Sequence, residues 1–190
     1  MDFFRLPFAY GALDPALNAR SVRDHYEDNH LGYFNRMNSL MPQGTTPQDV
    51  LFRGPMQGPL YNNTAQYFIH NMWWENLTPD RQGPPAALLR GLGVTEADLQ
   101  RLWIDRGTAL FGAGWLWLTV RPGGGTEVVA YPNADLPQRV NGAIPVLVMD
   151  LWEHAYYCQY GTNRKRYLEN TWPHINWAVV SERLAAVTRD

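Results

Sequence analysis

The sequence predicts an α+β fold, with an all-helical N-terminal half and a mixed C-terminal half. Three observations carry this reading. Two long helical segments, 21–40 and 61–77, flank a stretch at 41–59 that is rich in Pro, Gly and Thr. The pattern changes after 81–85, which reads as a linker. Beyond it, three strand-like runs are interleaved with helical ones.

Taken in order, residues 1–20 hold Pro7, Gly11 and Pro15 and are expected to be mostly irregular. Ser21 is expected to cap the first helix. The second helix stops near Pro79, and the two are expected to form an antiparallel hairpin. A short helix is expected over 85–92. Thr95 with Asp98 resembles a capping box and opens a helix through about Arg106. Strands are expected over 114–121, 127–131 and 145–150, the first two joined by the turn signal Pro122-Gly-Gly-Gly125. The remainder, 152–187, reads as helices broken near Gly161 and Pro173. The division expected is an N-terminal unit over 1–82 and a C-terminal unit over 83–190.

Composition narrows the function classes. Apolar residues make up 45 % of the 190, with 8 Trp and 10 Tyr, enough for a sizeable core. The net charge is −2 and no long basic run occurs, which argues against nucleic acid as the main partner. A single cysteine, Cys158, excludes an internal disulfide framework. The N-terminus has neither a charged leader nor an apolar h-region, and no run of ~20 apolar residues offers a membrane span. The expectation is a soluble cytoplasmic protein.

The chain has five histidines, and three fall in patterns suited to a metal. His25, Asn29 and Tyr33 share one helix face, as do Gln66, His70 and Trp74. Asp150 and His154 lie where an apolar strand gives way to a helix. Three imidazoles and a carboxylate suit a redox-active first-row metal better than calcium or magnesium, although zinc fits the ligand types too. Each residue also has a plainer reading. A lone helical His is commonly a surface or satisfied core residue, Asp150 could cap the next helix, and Trp74, Trp115, Trp117 and Trp152 could simply be core.

The segments LPFAYGALDP (6–15), DHYEDNHLGYFNRMN (24–38), YNNTAQYFIHNMWWENLTP (61–79), FGAGWLWL (111–118) and VLVMDLWEHAYYCQYGTNRKRYLENTW (146–172) together resemble the iron/manganese superoxide dismutases over nearly the whole chain. DLWEHAYY (150–157) is close to that family's signature, whose Asp and His both bind metal. The resemblance implies an N-terminal α-hairpin domain on a C-terminal α/β domain with a three-stranded antiparallel sheet. It implies one metal ion per subunit, held by His25, His70, Asp150 and His154, with a bound solvent completing the shell. It implies dismutation of superoxide to oxygen and hydrogen peroxide, an antioxidant activity. Gln66 and Tyr33 match residues that tune the bound solvent, and Trp74, Trp115 and Trp152 would wall a narrow channel for superoxide and other small anions. Gln66 on the second helix, with Ala134 before the last strand, is the iron-like arrangement, so iron is favoured over manganese.

A homodimer, or a tetramer made of two such dimers, is also implied, with Glu153 and Tyr157 at the interface. Asn29 departs from the family pattern, which has a His there, and Ile69 replaces a polar residue. Asn cannot titrate near neutral pH, so proton delivery is expected to differ. Arg164, Lys165 and Arg166 read first as a solvated helix face and second as a superoxide-steering patch. Two other functions stay in view: a different mononuclear non-haem oxidoreductase or oxygenase, or a structural subunit of the same fold. An oxygenase would leave two or three coordination positions open where four protein ligands leave about one. A structural subunit would have lost ligands, and all four are intact.

Overall fold

In the structure, a computed structural model that describes residues 1–187, two packed helices meet a three-stranded sheet and the chain's functional residues line the seam. The first helix is a composite. α1 (Ala19–Asp24) runs through a π-helical stretch (His25–His30) into α2 (Leu31–Leu40). Its N-cap is Asn18 rather than Ser21: the Asn18 Oδ1 accepts from the Ser21 N–H at 2.9 Å. The Pro-, Gly- and Thr-rich stretch 41–59 reads as a loop in the sequence, yet it holds α3 (Pro47–Phe52). There Thr46 and Asp49 form a reciprocal capping box and Pro47 stands in the first turn.

α4 (Pro59–Glu75) follows and packs antiparallel on α2, completing the hairpin. α5 (Ala86–Leu92) and α6 (Glu96–Ala109) lead to β1 (Gly114–Val120) and β2 (Thr126–Pro132). α7 (Pro137–Val140), unforeseen from the sequence, precedes β3 (Ile144–Asp150). α8 (Glu153–Tyr160), α9 (Arg164–Thr171), a 3₁₀ turn (Trp172–His174) and α10 (Trp177–Val187) end the described chain.

The sheet is antiparallel in the order β2-β1-β3. Every residue of the central β1 is buried, so both of its faces are covered and its run GWLWLTV has no polar alternation. α4 and α10 pack on β3 and α6 on β1 and β2, and the core between them includes Trp73, Trp115, Trp117, Trp177, Leu147 and Leu168.

Polar ties join the helical N-terminal part to the rest. Asn76 is wholly buried. Its Oδ1 accepts from the Val148 N–H at 3.0 Å, and its carbonyl accepts from the Asn176 N–H at 2.8 Å. Thr78 exchanges bonds with His174, and the Tyr61 hydroxyl donates to the Ala134 carbonyl at 3.1 Å. These buried hydrogen bonds across the seam fix one relative placement of the two parts.

Candidate metal centre

Four side chains from four places in the chain meet at this seam. β3 ends at Asp150, whose partner across the sheet is Trp115. Here the chain turns sharply, held by the Trp152 N–H donating to Asp150 Oδ1 at 2.7 Å and the Leu151 N–H donating to the Gly114 carbonyl at 3.0 Å. The same Gly114 also lets β2 lie close against β1. A Cβ there would collide with the Tyr131 carbonyl oxygen of β2. The turn sets His154, in the first turn of α8, back over Asp150, with Nε2 3.2 Å from Oδ2. His70 comes from α4 and His25 from the π-helical stretch.

The donor atoms converge. His25 Nε2 lies 2.9 Å from His70 Nε2 and 3.4 Å from Asp150 Oδ2, and His70 Nε2 lies 3.5 Å from the same oxygen. All four ligating atoms fall within 4.8 Å of one another, and His25, His70 and Asp150 are buried. Donors held ~2.1 Å from a common ion stand roughly 3.0–4.2 Å apart, and the separations of 2.9, 3.2, 3.4 and 3.5 Å lie close to the short end of that range.

The hydrogen bonding favours a cation as well. His70 Nδ1–H donates to the Gln66 carbonyl at 2.6 Å, so Nε2 carries a bare lone pair facing the others. Burial, reinforced by His154, pushes His25 down to about 4, and burial with His25 drives His70 well below the usual imidazole range. For Asp150, burial works to raise the pKa. The charge and hydrogen bond of His154 and the bond from His25 outweigh it and hold the carboxyl well below the ordinary range. Neutral His25 and His70 beside an ionised carboxylate are protonation states that a metal needs.

Aromatic rings close the surroundings. Trp73 lies 4.6 Å from the His25 ring, Trp74 meets it edge-on at 5.1 Å, and Trp115 meets the His70 ring edge-on at 4.9 Å. Trp152 stacks on His154 at 5.9 Å. Trp74, Trp115 and Trp152 were expected beside the site, whereas Trp73 was not. The Tyr33 ring is 5.2 Å from His70, and burial with the Asp150 charge pushes its phenol up to about 12. Gln66 is buried, and its Oε1 has no protein hydrogen-bond partner among the described residues. This orphaned acceptor, on α4 one turn before His70 and lining the same cavity as Tyr33, calls for a solvent or ion partner.

His30 escaped the sequence reading. In a regular α-helix, residues five apart lie roughly 140° around the axis, so His25 and His30 would face different ways. The i→i+5 geometry of the π stretch turns both inward. His30 stacks on His70 at 5.4 Å, accepts from the Trp74 indole at Nδ1 (3.1 Å) and bonds Asn71 Oδ1 through Nε2 at 2.9 Å. It is therefore a neutral, pinned ring backing a ligand and lies outside the four-donor group.

Arg164 also has a different part from either one expected. Its guanidinium donates to the carbonyls of Leu110 at 2.7 Å, Gly112 at 2.7 Å and Gly107 at 3.3 Å, clamping the chain between α6 and β1. Lys165 faces Glu169 at 3.8 Å. Glu153 and Tyr157 are exposed on α8, and Asn29 is partly buried on the π stretch.

Two family descriptions match. The alpha-hairpin domain of iron/manganese superoxide dismutases matches residues 2–78, and their C-terminal domain matches residues 95–183. "Superoxide dismutase [Fe]" of Escherichia coli K12 is 33 % identical over 190 residues, covering 95 % of this chain and 96 % of the relative. The proteins of that name from Photobacterium leiognathi (33 % identical; 95 % and 97 % covered) and Salmonella typhimurium LT2 (32 %; 95 % and 96 %) align equally fully. With matches along both parts of the fold and relatives at this identity, the chain belongs to the iron/manganese superoxide dismutase family.

Proposed function

We propose that the chain is a superoxide dismutase holding one iron ion between His25, His70, Asp150 and His154. The observation that carries this is the meeting of three imidazole nitrogens and one carboxylate oxygen from both halves of the fold. The chemistry iron would supply there is one-electron exchange, by which one superoxide leaves as oxygen and a second, with two protons, leaves as hydrogen peroxide.

The chain's own residues do the rest. Asp150 offsets cationic charge, and its second oxygen stays tied to the Trp152 N–H, so its orientation survives a change in that charge. The Gln66 carbonyl fixes the His70 tautomer from one helical turn away. Tyr33, with its phenol held at about 12, keeps its proton at neutral pH and so can donate a hydrogen bond to solvent or substrate near the metal. The Gln66 side-chain amide brings a second polar group to the same place. The tryptophan wall keeps bulk water away and strengthens each of these electrostatic effects.

Iron is our reading over manganese because the active-site amide stands on α4, with Ala134 before β3. We also propose a homodimer formed through α8. Glu153 and Tyr157 stand exposed there, and Phe111, on the segment clamped by Arg164, is fully exposed. No helix of the described chain is long and apolar enough to cross a membrane, and the reading is of a cytoplasmic antioxidant enzyme. Metal analysis paired with a superoxide-consumption assay tests the proposal. About one iron per chain, with activity lost on chelation and regained on iron reloading, is expected. A chain that takes up no redox metal and consumes no superoxide would sink it.

A further inference from the structure

A cavity of about 570 Å³ opens beside the metal centre. Its inner end includes Tyr33 and the buried Gln66, and its outer wall includes Asn62, Asn133 and Asp135. Among the residues lining it, Asp135 is the one with a formal charge at neutral pH, and the others are amides, phenols, apolar groups and an indole. A cavity lined by Tyr33, which lies against His70, and by Trp152, which stacks on His154, is thus bordered by a carboxylate.

The wall bearing Asp135 is firmly held. The Asp135 N–H donates to the Pro132 carbonyl at 3.2 Å, and the Tyr61 hydroxyl pins Ala134. Arg139, the cation on the same segment, donates to the carbonyls of Leu51 at 2.7 Å and Gly54 at 2.9 Å, so its guanidinium is tied to the loop that brings Met56 and Gln57 to the cavity. Asp135 has no bridging cation among the described ion pairs.

We propose that Asp135 is a specificity-determining residue of this passage: its carboxylate disfavours anions in the cavity and favours neutral, hydrogen-bonding molecules such as the peroxide product. Resting occupancy by common anions is thereby kept low, and hydrogen peroxide, being uncharged, meets no barrier on the way out. The titratable groups around the cavity are Tyr33 from α2, Tyr61 from α4 and Arg139 from α7. Burial, with Asp150 for one and Asp135 for the other, pushes both phenols up to about 12, so neither adds charge at neutral pH. Burial also raises the Asp135 carboxyl from its ordinary value. The inference rests on the metal-site reading proposed above.

The test is azide affinity, followed by absorption titration of the ferric holoenzyme at neutral pH and low salt. The proteins compared are wild type, Asp135→Asn, Asp135→Lys and the control Asp80→Asn, which removes an equal charge beyond the opposite end of α4. Removing this charge from the cavity wall is expected to tighten azide binding roughly two- to tenfold, with the lysine variant tighter still and the difference shrinking in salt. Asp80→Asn is expected to match wild type. Iron content is measured on the same samples. Equal azide affinity in all four iron-loaded proteins overturns the proposal while leaving the metal site standing, and chains that hold no iron overturn both.

Discussion

Asp150→Asn separates ligation from folding at one position. Asparagine is isosteric, and its carbonyl oxygen can still accept from the Trp152 N–H where Asp150 Oδ1 does so at 2.7 Å. Its amide NH₂, however, would replace the oxygen that lies 3.2, 3.4 and 3.5 Å from the three imidazole Nε2 atoms. An NH₂ has no lone pair to offer a metal, so one of four ligands is lost along with the negative charge. Free metal at 100 times its dissociation constant stabilises the native state by ~2.7 kcal/mol. For a chain of this length that corresponds to about 5–10 °C in Tm. If the substitution weakens binding by about 100-fold, the same free metal stands near its Kd and contributes only ~0.4 kcal/mol, about 1–2 °C.

The assay is anaerobic scanning calorimetry of each protein with and without ferrous ion, read as the difference between the two traces. Any effect of the substitution on the metal-free fold cancels in that difference. A metal-induced shift in Asp150→Asn as large as in wild type would refute ligation by this carboxylate.

Three other outcomes are expected from the same structure. Gly114→Ala would force β1 and β2 apart at the Tyr131 carbonyl, for a loss of about 3 kcal/mol and a Tm lowered by roughly 6–12 °C; a thermal midpoint within ~2 °C of wild type would refute the contact. Metal-free protein should lose stability between pH 6.5 and 4. Unfolded His25 binds a proton near 6.5 while folded His25 resists until about 4, so falling pH favours the unfolded state by about 3 kcal/mol from this residue alone. The depressed Asp150 carboxyl stays ionised through that window, so a flat or rising Tm from pH 6.5 to 4 would contradict the assignment. Glu153→Ala should loosen the proposed dimer and raise the sedimenting fraction of monomer, and an unchanged sedimentation profile would count against α8 as the interface.

The legible parts of this chain were those with a local signature. The hairpin helices showed a long pattern bounded by Pro and Gly, and the three strands showed apolar runs with a glycine turn between the first two. Asp150 and His154 sat in one short motif. Local reading failed where a feature depended on an exception or on distant partners. α3 hides in a stretch whose Pro, Gly and Thr content reads as loop, although Thr46-Pro47-Gln48-Asp49 carries its capping box. The π stretch leaves no mark in residue spacing, so His30 was passed over. Arg164 in a basic run reads as solvated surface, and only the fold brings the carbonyls of Gly107, Leu110 and Gly112 within its reach.

The centre itself shows why periodicity alone left the metal open. His25 and His70 lie on a hairpin, where their approach follows from helix packing, but Asp150 reaches them from a strand far along the chain. Its position is set by the β1–β3 register, in which Trp115 pairs with Asp150, and by the turn that Leu151 makes onto the Gly114 carbonyl. A slip of one residue would turn the carboxylate to the other face of the sheet. The ligand set is therefore protected by residues that never touch a metal: the glycine that lets β2 approach, and the buried Asn76 that locks α4 to β3 through the Val148 N–H. Changes at those positions should reach the metal through register, before any ligand is altered.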